Sequence, residues 1–176
     1  MDLSNRFAIA FVLTLALVAA GAPGPGVDIN VSAQESNACA LVTADEIEAL
    51  APEEAIAKGV SGALPSFGLV ACHYTWGTGI GRFKLDITIH ESSRMFPGMT
   101  PDQIKQRLVE SVKAGTDEAV LSEIGEAAVI KPDSTFYVTA TAFMKGRILQ
   151  VRLDGLTASA KRDQVIGLLK AAASRL

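Results

Sequence analysis

Phe136–Met144 and Arg147–Leu153 flank a Lys145-Gly146 pair, and few arrangements satisfy both segments at once. Folded about a two-residue turn, they set Ala142 beside Leu149, Ala140 beside Val151 and Val138 beside Leu153. All of these side chains then share one face, so turn length and hydrophobic pattern select the same register. The small residues at 140 and 142 leave room for a helix to approach that face closely.

A second hairpin precedes it. Phe83, Leu85, Ile87 and Ile89 alternate with Lys84, Asp86, Thr88 and His90, a period of two with one buried face. Val70, Cys72, Tyr74 and Trp76 share a face of Leu69–Trp76. Apolar-to-apolar pairing therefore sets Trp76 against Phe83, Tyr74 against Leu85 and Val70 against Ile89. It also sets His73 beside Asp86 and His90 opposite Leu69. The two histidines are then about 13 Å apart along the sheet at strand rise, too far to form a ligand pair.

Helix signals surround the hairpins. Thr43-Ala44-Asp45-Glu46 is a capping box, opening a helix from Ala44 to Leu50 that resumes after Pro52 as far as Lys58. Gly59, Gly62, Pro65 and Gly68 mark the next stretch as a loop. Thr100-Pro101-Asp102-Gln103 starts a second helix with an inward stripe of Ile104, Leu108 and Val112, ended by Gly115. A short strand, Ala127–Ile130, precedes the 136–153 hairpin. A last helix, Ser159 to Arg175, carries Val165, Leu168, Leu169 and Ala172 at helical spacing. The order predicts an α+β fold: an antiparallel sheet of about five strands with helices packed on one face.

Upstream, Phe7–Ala20 is almost unbroken apolar sequence behind Arg6, and Gly21, Pro23, Gly24, Pro25 and Gly26 stop it. A spanning helix needs roughly 20 apolar residues, so this shorter run reads as a signal peptide. Residues 1–33 are expected to be signal peptide and linker, cleaved after Ala22 or Ala33, and residues 34–176 a single α+β domain. The product is expected to be soluble, periplasmic or extracellular, with no stable membrane anchor. The chain carries a net charge of −3 with its basic residues interspersed among acidic ones, which argues against nucleic acid as a partner.

Cys39 and Cys72 are the only cysteines, and an even count in an exported chain favours a structural disulfide. The alternatives are a reactive thiol or a zinc site completed by His73 and His90. Zinc is opposed by the adjacency of Cys72 and His73, whose side chains point to opposite faces of a strand.

Chemistry-bearing signatures are missing. Gly59-Val60-Ser61-Gly62-Ala63 lacks the final glycine of a nucleophile elbow, and no phosphate loop, zinc-protease motif or calcium loop is present. Asp117, Glu118, Glu123 and Glu126 read as solvated surface carboxylates. His90, Met95 and Met99 are soft copper-type ligands, but at generic spacing around a Pro-Gly loop. No catalytic, cofactor-binding or metal residue is assigned, and no cofactor is expected.

What stands out is apolar sequence where alternation predicts exposure. Tyr137, Phe143 and Ile148 lie on the face opposite the expected core, and Met95, Phe96 and Met99 place large side chains in a connector. Such a patch marks a contact surface, unless the connector and an edge strand fold over it.

Cys39-Ala40-Leu41-Val42-Thr43 with Glu46, Cys72 followed by Tyr74, and Ile124-Gly125-Glu126-Ala127 together resemble a group of small exported bacterial domains, many of them lipoproteins of unknown function. These carry a Cys-Ala-Leu-Leu-Thr start, a second strand cysteine and a Gly-Asp-Glu-Ala turn. The resemblance covers most of residues 34–176 and implies a Cys39–Cys72 disulfide, a sheet-and-helix fold and no catalytic residues. Leu17–Ala22 has no cysteine where a lipid anchor would attach.

The expected function is that of an exported, soluble, non-catalytic module binding a small apolar ligand or an envelope partner protein. The alternatives are an envelope enzyme with a carboxylate and histidine site, and a structural or inhibitory partner of another envelope protein.

Overall fold

The computed structural model describes residues 37–51 and 59–176. The expected signal peptide, both expected cleavage points and the helix expected between Pro52 and Lys58 lie outside these residues.

The strands are β1 (Val60–Leu64), β2 (Leu69–Trp76), β3 (Phe83–Glu91), β4 (Ala119–Val120), β5 (Ala127–Ser134), β6 (Tyr137–Met144) and β7 (Arg147–Asp154). They form one antiparallel sheet in the order β1-β2-β3-β7-β6-β5-β4. The helices are α1 (Ala44–Glu48), α2 (Ser92–Met95), α3 (Pro101–Glu110) and α4 (Arg162–Arg175).

Both hairpins take the register their side chains demand. Ala142 faces Leu149, Ala140 faces Val151 and Val138 faces Leu153, while Trp76 faces Phe83 and Tyr74 faces Leu85. Lys145 and Gly146 sit at φ 49° and 71°, the left-handed pair of a type I′ turn, whose twist matches that of the strands. The Trp76 and Phe83 rings stack at 5.5 Å.

Among the described residues the sheet has seven strands, not about five. β1 falls where glycines and a proline suggested a loop, and its strand identity comes from pairing with β2 from Val60↔His73 to Leu64↔Leu69. β4 is two residues long, too short for alternation to register, and pairs with Val129 and Ile130.

The helices do not share one face. On the first face, Cys72, Tyr74, Leu85, Ile87, Leu149, Val151, Val138 and Ala140 pack with Val165, Leu168, Leu169 and Ala172 of α4. The segment around α1 packs there too, with Ala38, Leu41, Ile47 and Leu50 buried in the same core. A disulfide joins Cys39 to Cys72 across it. The second face has its own smaller cluster: Phe143 and Ile148 of the sheet, Ile104 and Leu108 of α3, and Phe96 and Met99 of the connector. The Ile104 stripe shows that α3 buries something. Only tertiary structure decides which face of the sheet it covers.

Candidate functional site

Alternation fixes what the second face shows beyond α3. Pairing carries one row across the sheet from Val60 through His73, Asp86 and Arg152 to Thr139. The next row towards one end of the strands holds Thr75, Lys84, Asp154 and Tyr137. Apart from Val60 and the Tyr137 ring these side chains are polar, and among the described residues this part of the face lacks the apolar cover that α3 gives to Phe143 and Ile148.

Two ion-paired groups organise the strip. His73 Nδ1 lies 2.5 Å from Asp86 Oδ1, and Lys84 Nζ donates to Asp86 Oδ2 at 2.7 Å. The other ring nitrogen of His73 is turned toward Gly62 of β1. Arg152 donates to both carboxylate oxygens of Asp154 at 2.7–3.0 Å, and its guanidinium stands 4.7 Å over the Tyr137 ring. The hydrogen bonds to Asp154 push the Arg152 pKa further up. Each carboxylate in the strip is thus already paired with a cation. His90 is separate: it pairs with Leu69 and Ile148, and burial lowers its pKa, favouring the neutral ring.

The residues singled out from sequence divide clearly. Phe143 and Ile148 are 1% and 2% exposed, so they are core under α3 and not a contact surface. The reason is that Ile104 and Leu108 needed an apolar floor, and these two side chains supply it. Phe96 and Met99 are part of that cover, with the Arg107 guanidinium 5.7 Å over the Phe96 ring. Arg107 also donates to the Met99 sulfur at 3.9 Å, which occupies the thioether a copper site would use. Tyr137 is half-buried beneath Arg152, and only Met95 is well exposed.

The acidic residues do not converge. Glu118 accepts from the Lys113 amide, Glu126 from the Lys145 amide, and Glu123 pairs with Lys170. Among the described residues no group of three or more His, Cys, Asp or Glu side chains is placed to hold a metal. No helix among them is long and apolar enough to cross a membrane.

The feature that sequence reasoning passed over is β1. Among the described residues it ends the sheet, with Val60 65% and Leu64 52% exposed, and Phe67 in the following turn 67% exposed. Edge strands ordinarily carry charge or are cut short, because their free amides and carbonyls accept any other strand. The opposite edge follows that rule: β4 is two residues long and comes directly after Asp117 and Glu118. β1 does not. From Gly59 to Gly81 the chain contains no Asp, Glu, Lys or Arg. That uncharged run was the available signal, and its glycines disguised it as a loop.

Comparison of the chain with protein families, with curated proteins and with solved structures gives no match.

Proposed function

We infer that this is an exported, non-catalytic binding module that recruits a protein by strand addition at the β1 edge, with which no described strand other than β2 pairs. The observation carrying this reading is the uncharged edge strand with Val60, Leu64 and Phe67 exposed, set against an opposite edge that is only two residues long and is preceded by Asp117 and Glu118. Strand addition draws affinity from main-chain hydrogen bonds and selectivity from alternate side chains. The Cys39–Cys72 disulfide fits an oxidising compartment, as does the resemblance to small exported domains. The small-ligand reading loses its support, since Phe143 and Ile148 face Ile104 and not an opening. A structural or inhibitory role toward another envelope protein is one form that recruitment would take.

The test is a photo-reactive residue at position 64, with position 120 on the other edge as control, in the protein exported by its host. Recruitment at the edge gives an adduct of defined mass at 64 that is absent at 120 and lost on Val60→Lys. Equal labelling at both positions, or none, overturns it.

One observation favours a second reading. The His73–Asp86 pair at 2.5 Å is the arrangement an acid–base site would use, with the free His73 nitrogen facing β1. A hydrolysis screen with ester, amide and glycoside substrates, repeated with His73→Ala, tests it. Turnover that His73→Ala abolishes supports an enzyme, and no turnover on any of the three removes it.

A further inference from the structure

We propose that the occupant of the β1 edge is a second copy of this chain, paired antiparallel about a two-fold axis through Gly62. This rests on the reading of β1 as the recruiting edge and names its partner.

The argument starts from the symmetry of the strand. In Val60-Ser61-Gly62-Ala63-Leu64, Gly62 is the midpoint. Antiparallel pairing about it sets Val60 against Leu64 of the second copy, Ser61 against Ala63, and Gly62 against itself. Val60 and Leu64 share the face of His73 and Leu69, while Ser61 and Ala63 share that of Cys72 and Val70. The large apolar side chains therefore meet each other on one face and the small ones meet on the other. A C2 interface needs this self-complementarity, and it closes on itself without propagating into a fibre.

Charge points the same way. Two copies carry the same net negative charge, −3 for the full sequence, so contact is least opposed where neither presents an ionised group, and the Gly59–Gly81 run is such a place. A partner of different sequence is selected by contacts optimised to it, charged contacts among them, or by clashes against its competitors. β1 has no charged side chain to offer. A second copy brings the same pattern in the matching order, large against large and small against small.

The size of the contact sets its strength. A five-residue edge buries far less than a standard interface, which places the dimer in the weak, transient class.

Sedimentation equilibrium of the oxidised exported protein, over a concentration series wide enough to reach weak, transient association, measures it directly. The mean mass is expected to rise from one chain toward two. Val60→Lys and Leu64→Glu each hold the protein at one chain, while Val120→Lys leaves association unchanged. The double variant Val60→Lys/Leu64→Glu restores association, because the two-fold register faces each lysine with the other copy's glutamate. Val60 and Leu64 are exposed enough for unchanged circular dichroism to confirm folding.

A mass of one chain throughout overturns the second-copy assignment, as does Val60→Lys associating like the parent. A double variant that stays at one chain overturns the register. If the protein is a monomer but position 64 still yields the edge-dependent adduct, the edge recruits another protein. If that adduct is missing too, both readings fail together.

Discussion

Arg175 grips Glu46 with two parallel hydrogen bonds of 2.8 Å, joining the last turn of α4 to the capping box of α1. The same guanidinium donates to the Leu41 carbonyl at 2.8 Å, and Glu46 also accepts from the Thr43 amide. One carboxylate thus closes the α1 cap and fastens the N-terminal segment to the C-terminal helix.

That double duty sets an acid dependence. The Arg175 hydrogen bonds, above all, lower the Glu46 pKa from 4.5 to about 2. A depressed carboxylate pKa adds stability above the unfolded value and loses it as pH falls through the folded one. The contribution is therefore full above pH 4.5 and gone near pH 2. Melting temperatures of the parent and of Glu46→Gln should differ at neutral pH and converge by the acid end of that window. A constant difference across it would mean the carboxylate acts only through packing. Thr43→Ala, which removes the other half of the box, should cost about 1 kcal/mol in urea unfolding.

Gly59 is required by space. A Cβ there would meet the Tyr74 ring at 2.6 and 2.7 Å and the Cys72 sulfur at 2.8 Å. Both neighbours are fixed, Cys72 by its disulfide and Tyr74 by burial in the core. Gly59→Ala should destabilise the protein by about 1–3 kcal/mol through overpacking. Gly79→Ala is an informative contrast for urea denaturation: a Cβ there meets nothing within 4 Å, so its penalty is confined to its φ of 57°.

How much of this was legible follows from where each signal is stored. Both hairpin registers were readable because alternation and turn length are local and agree, down to His73 beside Asp86. The capping boxes of α1 and α3 were readable for the same reason. β1 was not, because Gly59, Gly62 and Gly68 carry turn signals and only β2 makes Val60–Leu64 a strand. The apolar character of Phe143 and Ile148 was visible, but not its meaning. An apolar patch on a sheet and an apolar stripe on a helix are each half of a contact. Nothing local says that Ile104 belongs to this patch and not to the other face.

The burial of Phe143 reverses what a surface reading expects of it. At 1% exposure under Ile104, Phe143→Ala should cost about 3–5 kcal/mol, the range for a core phenylalanine. Phe143→Asp should prevent folding, since it places an unpaired charge beneath α3. Phe136, exposed in the turn before β6, is the control: Phe136→Asp should shift stability by no more than about 0.5 kcal/mol. Urea titrations of these variants decide the matter, and a folded Phe143→Asp protein would return that side chain to the surface.

The disulfide and the Glu46–Arg175 clamp hold the same segment from two sides. Cys39 and Cys72 are 33 residues apart, and closing a loop of that size in the unfolded chain contributes about 3–4 kcal/mol. That is a large part of the roughly 5–15 kcal/mol by which domains are stable, so Cys39→Ser/Cys72→Ser should lower the urea midpoint sharply. The two fastenings should also depend on each other. Without the bridge, Ala38–Leu41 and α1 are held to the sheet by burial and by the Arg175 clamp, so removing Glu46 then releases more than it does from the bridged protein. A cycle of parent, Glu46→Gln, the double serine variant and the triple variant measures this, with an expected coupling above about 0.5 kcal/mol. Strict additivity would mean that the segment stays docked through Leu41, Ile47 and Leu50 alone, and that the clamp is independent of the bridge.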